Sequence, residues 1–217
     1  MYDLIILTAA VNRSLLHNES FSEILKILDG LKCKWIIHIN KVLDEPLIET
    51  DRNLKRVLKS NNIDLDIKLT ESGGTHMDFY NAIKYLANEG SKYKSKFGVF
   101  LLEDDWKPIE EFKLKDDLLE FLKGENTYIG LVERSPEVSF NPGIWSTDIF
   151  EKFLLYKINN PVGKHWNENP NPERVVVYPM SEVTSTIKNL KMLLRFKDIG
   201  RDWMRKYYNN QKTFLMK

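Results

Sequence analysis

The segment Phe97–Trp106, FGVFLLEDDW, limits the possible folds of this chain more than any other stretch. Val99-Phe100-Leu101-Leu102 carries no polar residue at alternate positions, the pattern of a strand buried on both faces. It breaks off into Glu103, Asp104 and Asp105. Unpaired buried carboxylates are expensive, so three acids at that point are not core filling. In open α/β sheets, ligands bind just beyond the carboxyl ends of the strands. An acidic cluster there points to a divalent cation and a phosphate-bearing ligand. Mg2+ or Mn2+ typically takes one or two protein carboxylates and completes its shell with water and phosphate oxygens.

The residues before this strand read as repeating β-α units. Asp3–Leu7 is a short apolar strand, followed by Thr8–Arg13 as a loop of small and polar residues where a ligand can approach the backbone. Ser20 and Glu23 form a capping box for a helix with Phe21, Ile24, Leu25 and Leu28 on one face, ended by Gly30. Lys34–Asn40 is a second strand. Thr50 caps a second helix, and Ile63–Leu69 alternates strictly, as a half-buried strand at or near a sheet edge does. After Ser72-Gly73-Gly74, a third helix packs Phe79, Ala82, Ile83 and Leu86. Right-handed crossovers turn this series into a mostly parallel sheet with helices on both faces, the loops after the first, second and fourth strands meeting at one edge. Further on, Leu114–Leu122 reads as a short helix and Tyr128–Val132 as a strand ending in Glu133-Arg134. Phe140–Trp145 reads as a turn, Ser146 as a helix cap, Asn159–Arg174 as a loop and Arg174–Tyr178 as a strand. Ser181–Phe196 fits either helix or strand.

Composition excludes several classes. The chain has 217 residues, 42% hydrophobic and 29% charged, with 32 basic against 31 acidic side chains and a net charge of +1. No global field or basic block favours nucleic acid. No apolar run reaches the roughly 18–20 residues of a membrane span. Cys33 is the single cysteine, so no internal disulfide forms, and a reducing, cytoplasmic setting is expected. There is no P-loop and no glycine between Thr8 and Arg13 to make a dinucleotide fingerprint. The four histidines, His17, His38, His76 and His165, are scattered, against a zinc site. No G-x-S-x-G elbow is present.

Three features together resemble glycosyltransferases of GT-A type: a first strand running into Thr8–Arg13, a helix opening near Gly73-Gly74 and carrying Asn81, and a strand ending in an acidic triplet. Glu103-Asp104-Asp105 is similar to their D-x-D motif, with Glu at the first position, and Phe140-Asn141-Pro142-Gly143 resembles their acceptor-side turn. The resemblance implies one GT-A-like α/β domain over residues 1–217, with a nucleotide-sugar-binding half (1–106) and an acceptor-binding half (107–217). It implies a metal-dependent transfer, with Mn2+ or Mg2+, from a UDP- or GDP-type sugar donor to a glycan or other acceptor hydroxyl. Thr8, Ala9, Val11, Asn12 and Arg13 would line the base and ribose, with Asn40 on the base and Gly73 and Gly74 letting a helix pack close. Asp104 would face the ribose or sugar and contribute to the metal site, and Asp105 would bind the metal. Asp198 is the candidate for a further metal ligand, with His165 second, and Arg201 would neutralise the diphosphate; an ordinary Asp198–Arg201 ion pair is the equal alternative.

Departure of a nucleoside diphosphate calls for charge neutralisation, and an inverting transfer also calls for a carboxylate base. Glu133 is the first choice for that base and Glu137 the second; a retaining transfer needs neither. Trp106, Asn141 and Trp145 are acceptor-side candidates, the two tryptophans either stacking on a sugar or sitting in the core. Two other readings stay open. One is a sugar nucleotidylyltransferase, whose Gly-rich, basic first loop is missing here. The other is a non-catalytic carbohydrate-binding protein on the same fold.

Overall fold

The computed structural model describes residues 1–71, 76–119, 127–132, 142–159 and 187–207. The first half alternates β1 (Tyr2–Val11), α1 (Ser14–Ile27), β2 (Cys33–Asn40), α2 (Leu47–Val57), β3 (Ile63–Thr70), α3 (His76–Gly90) and β4 (Ser95–Glu103). Then come β5 (Trp106–Pro108), α4 (Leu114–Leu119), β6 (Thr127–Gly130) and β7 (Gly143–Trp145). A helical stretch follows as α5 (Thr147–Ile149), a π-helical segment Phe150–Leu155 and α6 (Tyr156–Asn159). The described chain closes with β8 (Asn189–Met192), β9 (Phe196–Asp198) and α7 (Gly200–Tyr207).

Seven strands form one sheet in the order β3-β2-β1-β4-β7-β6-β8. β1 to β4 are mutually parallel, β7 runs antiparallel to both β4 and β6, and β8 is parallel to β6. β5 and β9 make a separate two-stranded sheet. The fold is thus α/β, with a mostly parallel central sheet between two helical layers. One core lies under α1, α2 and α4, where Phe100 and Leu102 meet Phe21, Ile24 and Leu54. The other lies under α3 and the helical stretch 147–159, where Val99 and Leu101 meet Ile83, Leu86 and Ile149. The apolar run of β4 feeds both, which is why it has no wet side; each such side chain contributes about 1.5–3 kcal/mol on burial. β3 is one of the two edge strands, its Ile63, Leu65, Ile67 and Leu69 packed inward while Asp64 and Asp66 clamp the buried Lys34 of β2. Gly98 in β4 has φ +124°, and a Cβ there would overlap the Trp145 carbonyl of β7, so this close strand approach requires glycine.

Several expected boundaries shift. Thr8–Val11 is strand, not loop, because β1 stays paired with β2 up to Val11–Asn40. α1 begins at Ser14, before the expected capping box. Glu45 reaches across from the chain beyond β2 to accept the Ser14 N–H, and Ser20 is buried mid-helix, donating its Oγ to the Trp106 carbonyl at 2.7 Å. Thr50 lies inside α2, where it donates to the same Glu45 at 2.6 Å instead of capping. Gly143–Trp145 is a strand between β4 and β6 rather than part of a turn. The expected strand 174–178 and loop 159–174 lie almost wholly outside the described residues.

Candidate active site

The carboxyl ends of β1, β2 and β4 converge with the β9–α7 junction. β4 delivers the acids and β1 delivers Arg13, but the three acids meet different surroundings. Asp104 is buried, with its side chain 4% exposed. Its carboxylate accepts from Arg13 Nε at 2.9 Å and Nη2 at 2.5 Å, from the Val11 N–H at 3.2 Å, and meets His17 Nε2 at 2.9 Å. Its own N–H donates to the Ala9 carbonyl at 3.3 Å. Burial opposes its charge, but the Arg13 guanidinium and His17 hold the carboxyl well below the usual carboxylate range. Burial likewise opposes the charge on Arg13, and Asp104, then Asp105, overcome it and keep the guanidinium ionised.

Asp105 is more open, its side chain 24% exposed and its Oδ2 3.4 Å from the same Arg13 Nη2. Desolvation pushes its pKa up to about 6, against the pull of Arg13; the like charges of Asp104 and Asp198 add to the rise. Asp198, 93 residues further along the chain, arrives through the β5–β9 pairing, in register with Trp106. The Ile199 N–H donates to the Asp105 carbonyl at 2.9 Å, and Asp198 Oδ1 accepts the Gly200 N–H at 2.9 Å where α7 begins. Glu103 is half-buried, and its Oε2 accepts Trp106 Nε1 at 2.9 Å. Asp105 and Asp198 have the hard oxygen donors that Mg2+ and Mn2+ prefer, and two carboxylates are enough for such a site.

Five of the expected ligand contacts have their side chains engaged within the protein's own packing. Asp104 has its oxygens committed to protein donors, Arg13 and His17. Thr8 is fully buried and accepts Trp35 Nε1 at 2.9 Å on the α1 side of the sheet. Asn12 is fully buried too; its amide donates to the carbonyls of Leu43 and Glu45, and its Oδ1 accepts the N–H groups of Val42 and Leu43. That exhausts a side chain with four sites, so Asn12 staples the loop after β2. Trp106 and Trp145 are 4% and 2% exposed, the first in the α1-side core and the second packed edge-on to Tyr128, so neither offers a stacking face to an acceptor. Ala9 is buried, and Val11 is half-buried at the sheet's rim with Asn40 beside it in register. Gly73, Gly74, Glu133, Glu137, Asn141 and His165, and the side chain of Arg201, lie outside the described residues.

Sequence reasoning missed His17 and Glu45. His17 stands four residues after Arg13, a spacing that puts both over Asp104 once α1 begins at Ser14. His17 stacks on Phe21 with ring centroids 5.2 Å apart. Cys33 is inert, its thiol pushed up to about 12 by burial.

Among solved structures, the fold is similar to that of the mannosyltransferase PcManGT from Pyrobaculum calidifontis, solved with GDP-Man and Mn2+. The TM-score is 0.52 at 10% identity, over 70% of this chain and 46% of that one. It is also similar to TarS of S. aureus, with a TM-score of 0.54 at 12% identity, over 89% of this chain and 36% of TarS. TarS 1-349 in complex with UDP gives a TM-score of 0.52 at 12% identity, over 89% of this chain and 59% of that one. The chain spans about half the length of the structures it matches. The likeness defines the fold as GT-A type. No family model matches the sequence, and no curated protein matches it. No helix among the described residues is long and apolar enough to cross a membrane.

Proposed function

We propose that this chain is a glycosyltransferase that moves a sugar from a nucleoside-diphosphate donor to an acceptor hydroxyl, with Mn2+ or Mg2+ bound at Asp105 and Asp198. The observation that carries the reading is the meeting of these two acids, from β4 and from the β9–α7 junction, beside Arg13 at the carboxyl edge of a GT-A sheet. A core has no use for that juxtaposition, since the like charge of Asp198 adds to the cost of ionising Asp105. The metal, when bound, would neutralise the charge that builds on the departing diphosphate.

The remaining roles belong to the chain itself. Arg13, fixed through Nε and Nη2 by Asp104, holds its guanidinium against Asp105 and keeps that carboxylate aimed at the ligand side. Glu103, steadied by Trp106 Nε1, is the acid we assign to the ribose or sugar in place of Asp104. Val11 and Asn40 form the rim beside the base. Arg201 opens α7 next to Gly200 and is assigned to the diphosphate. For an inverting reaction, Glu133 would take the acceptor proton. The UDP and GDP-Man of the similar structures make those two nucleotides the first donors to test.

Thermal-shift and calorimetric titration with UDP, GDP and their sugars, with and without Mn2+, tests the reading. Metal-dependent stabilisation by at least one nucleotide is expected. Absence of any shift across the panel in Mn2+ refutes it.

A further inference from the structure

A glycine stands where the two halves of the site touch. A Cβ built on Gly200 would lie 2.5 Å from Asp105 Oδ2, 2.7 Å from its Cβ and 3.0 Å from its Cγ. Real Cβ atoms do not approach heavy atoms this closely, so any side chain at position 200 forces a shift. The shift cannot be spread over a flexible tip, because the first atoms of the Asp105 side chain are involved as well as its end. Asp105 is also held on two other sides. Its carbonyl accepts the Ile199 N–H at 2.9 Å, which locks its backbone to the strand leading into α7. Its carboxylate faces Arg13 at 3.4 Å, and Arg13 is buried against Asp104. The carboxylate therefore fills a slot with Gly200 as one wall and Arg13 as another.

Backbone conformation gives no reason for glycine here. Gly200 opens α7 without the positive φ seen at Gly30 and Gly98. At an ordinary helical position, alanine is the better residue. The space taken by Asp105 is the remaining requirement.

The geometry points to Gly200 as a positioning residue: its missing side chain sets where the Asp105 carboxylate lies, and through it the affinity of the site for metal and nucleoside diphosphate. This rests on the transferase reading for its functional half. Position 200 governs the site from 95 residues away in sequence, with no chemistry of its own.

The test is a thermal double-mutant cycle on the full chain, Gly200→Ala and Asp105→Gly, joined to Mn2+-dependent binding of UDP and GDP. Asp105→Gly removes all three atoms that the new Cβ would meet. Gly200→Ala is expected to lower Tm in the natural background and to leave or raise it in the Asp105→Gly background. In the folded Gly200→Ala protein, Mn2+-dependent nucleotide affinity is expected to fall at least tenfold, while Asp104, Arg13 and the core keep the far-UV spectrum unchanged. Equal Tm losses in both backgrounds overturn the inference, and so does a coupled cycle with unchanged affinity. If the natural protein binds neither nucleotide with Mn2+, the transferase reading fails, and the cycle alone then decides whether Gly200 shapes the Asp105 slot.

Discussion

Replacing Asp104 by alanine separates an anchoring role from a ligand role. Among the described residues, four contacts end on this carboxylate: Arg13 through Nε and Nη2, His17 through Nε2, and the Val11 N–H. Removing it leaves Arg13, itself 3% exposed, as a buried cation with Asp105, at 3.4 Å, as its one ion-pair partner among the described residues. Removing one partner of a buried pair costs about 3–5 kcal/mol, because the remaining charge stays desolvated. In a chain of this size each kcal/mol moves Tm by about 2–4 °C, so a fall of about 6–20 °C is expected. Differential scanning calorimetry on Asp104→Ala, Arg13→Met and the double variant measures it. The double variant should be more stable than the sum of the singles, since it removes both charges. The pH profile adds an independent reading. Asp104 titrates lower folded than unfolded, so this stability is complete at neutral pH and drains as pH falls below about 4. A Tm change under 2 °C would refute the anchoring role, as would a loss of nucleotide binding at unchanged Tm; the latter would restore Asp104 to the ligand.

Asp105→Asn should keep the fold and abolish Mn2+-dependent nucleotide binding. Because Asp105 titrates near 6 when folded and near 4 unfolded, the natural protein loses stability as pH rises through about 6. The amide should remove that slope, worth of order 1–3 kcal/mol, in denaturation curves at pH 5 and 7.5. Mn2+ competes with the same proton, so its affinity should weaken below pH 6 in calorimetric titrations. Asn12→Ala should cost about 2–4 kcal/mol in urea denaturation, because the carbonyls of Leu43 and Glu45 and the N–H groups of Val42 and Leu43 lose their partner. Trp145→Phe should cost under about 1.5 kcal/mol and leave acceptor KM unchanged, since the buried Trp145 Nε1 has no hydrogen-bond partner among the described residues.

Periodicity carried the fold a long way. The two-sided apolar run of β4, the alternation of β3 and the amphipathic spacing of α3 are local patterns, and each forms where it was expected, while α1 keeps its apolar face but starts six residues early. The strand ends were less legible. Ala9 and Val11 look like loop residues because they are small or precede polar ones, yet pairing between β1 and β2 carries them into the sheet. The capping box at Ser20 is a real local signal, overridden because Glu45 supplies a better-placed acceptor for the start of α1. Trp106 and Trp145 show the same limit: exposure of an aromatic ring depends on what packs over it, and no local pattern encodes that.

At the site, the sequence by itself determined that acids follow the central strand, whereas Asp198 entered only as a candidate that the family resemblance implies. Only Glu103 belongs to β4, and the turn that follows carries Asp104 and Asp105; which of these acids is dry depends on the helix that covers it. The tertiary structure decided that. α1 lays Arg13 and His17 over Asp104 and turns it into an anchor, while β9 and α7 bring Asp198 and the bare backbone of Gly200 to Asp105. Charges 93 residues apart interact only after the chain has folded, because the work of bringing them together is done by strand pairing and core burial rather than by the charges themselves.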